Sequence, residues 1–207
     1  MFLDLQEKDL QLESGKLCLD FANTADWHAS AHPVEELTTY KDLVNWANRV
    51  GLLDERQAER LLSEASNRSG EAQAALEKAV ALREAIYVIF SANAQGLPTH
   101  PEGLETINAA ASEAFAHLLI INQGEGFQWK LTGTRDRLDC MLWPVAISAG
   151  ELLTSEEKNR VGECADDRGC GWLFFDTSRN RSRRWCDMKD CGNRAKARRY
   201  YQRVKGD

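Results

Sequence analysis

The 207-residue chain is poor in proline, with 4, and has only 14 glycines, which excludes collagen-like sequence and argues against wholesale disorder. No apolar run approaches the ~20 residues that span a bilayer. The opening stretch, MFLDLQEKDLQLESG, has acids where a secretory leader has a basic flank and an apolar core, so no export signal is read there. Six cysteines without such a signal point to a reducing cytoplasm, where thiols are free, catalytic or metal-bound rather than disulfide-paired. Histidine is scarce, at 4. His28 and His32 stand four apart beside Asp26, but Pro33 disfavours helical geometry at His32, and both are read as loop residues rather than a metal pair. There is no Gly-x-Ser-x-Gly elbow and no His-Glu-x-x-His, and Ser14-Gly15-Lys16 lacks the upstream glycine of a phosphate loop. The chain is not expected to be an enzyme. Internal repeats and low-complexity stretches are absent as well.

What is present is mainly helical periodicity, from Leu37 to about Ser155. Thr39 with Asp42, and Asp54 with Gln57, look like capping pairs for two helices. A long third helix is expected from about Glu71 to Gln95, stopped by Gly96-Leu97-Pro98. A fourth starts near Pro101 and uses Leu104, Ile107, Ala111, Phe115 and Leu118. A last one runs from Arg135 to Leu153, kinked or split by Pro144. Two segments alternate like strands, Lys16 to Phe21 and Phe127 to Leu131, and are candidates to pair in a small sheet. The fold expected is mainly α (α+β): a helical body over residues 1–155 with a small sheet, then a separate module over 156–207, with Thr154 to Lys158 as hinge. Cys18 and Cys140 have apolar neighbours and read as small buried hydrophobes. Asp20, Asn23 and Thr24 cluster after the first candidate strand, where turn and cap chemistry competes with a ligand-facing role.

The net charge of -6 hides an asymmetry. Residues 160–207 hold 13 Lys and Arg against 7 Asp and Glu, whereas the rest holds 13 against 25. A basic module on an acidic body is the pattern. The same segment carries Cys164-x5-Cys170-x15-Cys186-x4-Cys191, two close pairs that suit one tetrahedral centre. One structural Zn2+ is expected; unpaired buried thiols, an iron–sulfur cluster or a redox switch are the alternatives. The apolar run Trp172-Leu173-Phe174-Phe175 and the return Arg183-Arg184-Trp185 suggest a hairpin between the pairs, and a helix follows Cys191. That order resembles a treble-clef zinc finger. About 45 residues bury little core, so the metal is expected to supply much of the module's stability. Arg179, Arg181, Arg183 and Arg184 on the hairpin, with Arg194, Lys196, Arg198, Arg199 and Arg203 on the helix, form a candidate surface for DNA phosphates. RNA or an acidic protein is the rival partner, and an enzyme in the helical body, targeted by the finger, is a second rival.

The stretch Cys170-Gly171-Trp172-Leu173-Phe174-Phe175-Asp176-Thr177-Ser178-Arg179-Asn180, then Arg184-Trp185-Cys186, then Cys191-Gly192-Asn193-Arg194-Ala195-Lys196, resembles the CGNR zinc-finger family. Leu17 to Thr24, with Ala81-Leu82-Arg83-Glu84-Ala85-Ile86-Tyr87, resembles the ABATE domain that usually precedes that finger. The resemblance implies a bacterial stress-responsive transcription regulator, with a finger that binds DNA and a body that senses a small-molecule effector. Carried over by position, Cys164, Cys170, Cys186 and Cys191 are the zinc ligands. Asp20, Asn23 and Arg83 are the body residues to test as effector ligands. One departure stands out: five residues separate Cys164 from Cys170, where four are expected, and Gly169 makes the room. A single finger covers limited DNA surface, so a homodimer joined through the body is plausible. No membrane partner is expected.

Overall fold

The computed structural model describes residues 10–205, except 123, 125 and 136. Residues 1–9, which carry most of the reading against an export signal, lie outside that range. The body is helical: Leu17–Ala22 (α1), Tyr40–Arg49 (α2), Glu55–Asn67 (α3), Ser69–Gln95 (α4), Pro101–Ala116 (α5) and Leu142–Thr154 (α6). Ala25–Asp26 (β1) pairs with Val34–Glu35 (β2), and Leu118–Asn122 (β3) with Phe127–Leu131 (β4), all antiparallel. A 3-10 helix, Glu156–Arg160, leads into Val161–Glu163 (β5), which pairs with Leu173–Phe175 (β6). A π-turn, Met188–Gly192, opens the last helix, Asn193–Lys205 (α7). The fold is thus mainly helical, with three small two-stranded sheets among the described residues and a C-terminal cysteine cluster.

Both capping pairs form complete boxes. Thr39 accepts from the Asp42 N–H while Asp42 accepts from the Thr39 N–H, and Asp54 and Gln57 do the same for α3. α4 ends at Gly96, whose φ of 68° suits glycine, and the Leu97 N–H returns to the Ala92 carbonyl at 2.8 Å. These signals are local, which is why they read correctly from the chain.

Four expectations need correcting. The segment expected as a strand from Lys16 to Phe21 is instead α1, with Lys16 as its extended N-cap. Every residue of α1 is buried, and a lone strand there would strand its N–H and C=O groups without partners, whereas a helix pairs most of them internally. Consequently β4 pairs with β3, and Leu118 opens that strand rather than extending α5. Pro144 neither kinks nor splits α6: the helix begins at Leu142, so Pro144 falls in the first turn, where its missing N–H costs nothing. Finally, residues 154–158 are no hinge. Lys158 accepts from Asn93 on α4, and Glu163 on β5 accepts from Ser91 at 2.7 Å, Gln95 at 2.8 Å and Tyr87 at 3.2 Å, all on α4.

The core gathers α1, α2, α4 and α6, with Leu17, Phe21, Leu43, Ile86, Phe90 and Val145 fully enclosed. Cys18 and Cys140 are buried within it, as expected. The C-terminal module docks on this core through β6. Its backbone pairs with β5 on one side, while on the other Asn23 donates to the Leu173 carbonyl and accepts from the Leu173 N–H, both at 2.9 Å. The Phe175 N–H extends that seam by donating to the Ser14 carbonyl at 2.8 Å.

Asn23→Ala leaves a buried N–H and a buried carbonyl at Leu173 without partners. We expect it to cost about 2–4 kcal/mol in chemical denaturation and to raise amide exchange at Leu173 well above that of α4.

Candidate metal centre and nucleic-acid interface

Cys164 follows β5 and Cys170 precedes β6, so the first pair brackets the knuckle at the end of a short ribbon. The knuckle lies against the body loop at residues 27–30. A Cβ on Gly169 would fall 2.6 Å from Ser30 Cα, and one on Gly171 2.6 Å from the Ala29 nitrogen, and both glycines have positive φ. Only glycine fits either position. Gly169 therefore does more than accommodate the wide spacing of the pair; it lets the knuckle seat on the body. The expected hairpin between the pairs does not form. Leu173–Phe175 turns to β5, and the return segment touches the knuckle through the Ala165 N–H, which donates to the Arg184 carbonyl at 2.8 Å.

The second pair sits on either side of Asp187, which accepts from the N–H groups of Lys189 and Asp190 and so starts the π-turn that carries Cys191. All four sulfurs lie within 4.8 Å of one another, with Cys170 and Cys186 3.8 Å apart and Cys186 and Cys191 3.6 Å apart. Zinc–sulfur bonds of about 2.3 Å in a tetrahedron put sulfurs about 3.8 Å apart. Hydrogen bonds from Cys170 and Cys186 favour a thiolate at Cys164, and that thiolate raises both neighbours. Four thiols this close ionise together only around a cation. The donor set and spacing fit one structural zinc ion, held by Cys164, Cys170, Cys186 and Cys191 with no position left over for a catalytic water.

Around the sulfurs the arginines divide. Asp166, inside the knuckle, has a side chain with no exposed surface; it accepts from Arg168 and Arg198, each at 3.0 Å, and Arg194 approaches to 3.5 Å. These cations hold its carboxyl well below the usual range, chiefly through the Arg168 hydrogen bond. Arg194 also donates to the Cys191 sulfur at 3.0 Å and pairs with Asp190, and Arg198 pairs with Asp167. Trp27 of the body is flanked by Arg168 and Arg194, 5.0 and 5.3 Å from its ring. Arg183 donates to the backbone carbonyls of Trp185 and Cys186 and covers the Phe174 ring. Arg179, Arg181, Arg184, Lys196, Arg199 and Arg203 are exposed, with Arg184 and Arg199 beside Trp185. Asp166 was not singled out from sequence. The available signal was a pair of acids, Asp166 and Asp167, enclosed by two cysteines in a segment otherwise rich in arginine.

The three body candidates are not brought together. Asp20 and Asn23 line one cavity of about 610 Å3 with Trp46, Arg49 and Trp172. Asp20 accepts from the Glu13 and Ser14 N–H groups, yet burial pushes its carboxyl up to about 6. Arg83 does not line that cavity: it is buried in a two-pronged pair with Glu35, at 2.5 and 2.7 Å, and also holds Glu84. His28 is a loop residue, 2.9 Å from Glu84 and stacked on Tyr87.

Residues 15–156 match the ABATE family model, described as "Putative stress-induced transcription regulator". The chain belongs to the ABATE family. Residues 160–204 match the CGNR zinc finger, so the metal centre of this ABATE protein is that of a known finger type. Neither is an enzyme family. No curated protein matches the chain, and no helix among the described residues is long and apolar enough to cross a membrane.

Two outcomes follow from this geometry. Cys186→Ser should release zinc, measured with a chromogenic chelator, and unfold the segment from 160 to 205 while leaving the far-ultraviolet signal of the body largely in place. Asp20 has a folded pKa above its unfolded value, so its contribution is complete below about pH 4 and fades as pH rises through about 6. Asp20→Asn should therefore gain about 1 kcal/mol relative to the parent between about pH 5 and pH 8, read from denaturation at each pH.

Proposed function

We propose that this ABATE protein is a transcription regulator that binds duplex DNA through its finger. The observation behind this reading is the division of the arginines. Asp166, Asp190 and the Cys191 sulfur engage Arg194 and Arg198, and the chain's own carbonyls engage Arg183. That leaves Arg179, Arg181, Arg184, Lys196, Arg199 and Arg203 exposed, with no acid paired to them among the described residues. Such a face suits phosphates, since its charge is not already compensated. Arg199 and Lys196 on α7, with Arg184 on the loop before Cys186, are the contacts we favour. Arg194 and Arg198 then act by positioning α7 against the knuckle.

The body is the sensing part in this reading. The cavity lined by Asp20 and Asn23 is where a small-molecule effector would act, because Asn23 also bonds the backbone of β6 and so touches the finger directly. Arg83, consumed by Glu35, is set aside as an effector ligand.

Titration of labelled duplexes selected from random sequence, at several salt concentrations, tests the proposal. Arg184→Ala with Arg199→Ala should lower affinity roughly tenfold or more and reduce the salt slope by about 2, with zinc content unchanged. Arg198→Ala should instead loosen the finger itself. Equal binding to duplex DNA, RNA and heparin at fixed salt would sink the reading in favour of a nonspecific polyanion module.

A further inference from the structure

The β3–β4 arm has no cover on much of its surface. By register Leu118 faces Leu131, Ile120 faces Trp129, and Asn122 faces Phe127, so these six residues share one side of the ribbon. Leu118 and Leu131, at the foot, pack on the core. Ile120, Trp129 and Phe127 are 59%, 42% and 80% exposed, and Leu119 and Phe115 nearby are each 54% exposed. Side chains of this size seldom stand together in water on a monomer, and a two-stranded ribbon is barely stable alone.

The two edges differ. β4 carries Lys130, the kind of residue that guards an edge against pairing. β3 reads Leu118-Leu119-Ile120-Ile121-Asn122, without charge or proline, and pairs only with β4 among the described residues. We propose that this edge of β3 is the interface of a homodimer, in which two copies of β3 pair antiparallel and form a sheet in the order β4-β3-β3-β4. An identical strand is the natural occupant, since antiparallel self-pairing closes around a two-fold axis and leaves no further edge of the same kind. Charge agrees: Lys130, the single charge on the two strands, sits on the outer one, so like charges do not meet across the axis. Edge pairing also brings the exposed Leu119 and Ile120 of β3 beside the same strand of the second copy, covering part of their surface. The pairing would place two fingers on one particle. It does not depend on what those fingers bind, so it is tested without nucleic acid.

Sedimentation equilibrium of the full zinc-loaded chain should show a dimer at micromolar concentration. Ile120→Lys, which sets like charges near the axis, should raise the dissociation constant at least about a hundredfold, with circular dichroism and zinc content unchanged. Gln128→Lys, on the outer strand, should leave the dimer intact. Ile120→Cys should form a covalent dimer under mild oxidation faster than the parent, and Gln128→Cys should not. A parent that stays monomeric at about 100 µM, or a dimer that survives Ile120→Lys, overturns the proposal.

Discussion

Negative charge gathered at the root of the finger decides where its arginines go. Four thiolates around one zinc carry a net charge of about −2, and Asp166 adds a carboxylate with no exposed surface a few residues away. Neither charge is tolerable in a half-buried place without cations against it. Arg194 answers both, with one nitrogen on the Cys191 sulfur and another facing Asp166; Arg168 and Arg198 complete the set. Because Arg194 and Arg198 lie one turn apart on α7 and share one acceptor, they fix the azimuth of that helix. Lys196, Arg199 and Arg203 on the same helix are thereby turned outward. The metal thus does two jobs: it closes the fold of a segment with little core of its own, and it sorts the cations into those that hold and those left free.

A finger this small borrows stability from its neighbour as well. β6 has the body's Asn23 on one side and β5 on the other, and Gly169 and Gly171 bring the knuckle to within contact of the loop at 29–30. Trp27, in that loop, inserts between Arg168 and Arg194. These are short-range, shape-dependent contacts rather than a tether. The body's fold is therefore part of the environment of the metal site, and a change in the loop at 27–30 would be felt by residues that touch sulfur or Asp166.

How much of this is legible in the chain depends on the range of the cause. Helix caps at Thr39 and Asp54, the stop at Gly96 and the cysteine spacing are set by neighbours a few residues away, and these read correctly. The alternation from Lys16 to Phe21 misled because α1 is enclosed on every side, so periodicity carries no information about which face is inside. The pairing of β3 with β4 went unread because Leu118 continues the apolar spacing of α5. The hairpin in the finger failed for a related reason: β6 has a better partner in β5, twelve residues before it, than in the arginine-rich return. Among the site residues, the four sulfurs were recoverable from spacing alone. Arg83 was not, because its partner Glu35 is 48 positions away, and Asp166 gains its importance only once α7 folds back over the knuckle.

The absence of a free linker constrains how any signal can travel. A body joined to its finger by a loose hinge can reorient it at little cost, but here residues 156–163 are pinned along α4 by Asn93, Tyr87, Ser91 and Gln95. Reorienting the finger would break those bonds together with the Asn23 pair, and each buried group left unpaired costs on the order of 1–3 kcal/mol. A small molecule binding by a few kcal/mol cannot meet that sum by differential affinity. It can shift one element within the seam. Asn23 is the residue best placed for that, since it lines a body cavity with one end of α1 and holds the backbone of Leu173, three residues from a zinc ligand, with its amide. On the proposed sensing role, a relay through this amide would act on β6 beside the knuckle and would need no movement of the finger over the body.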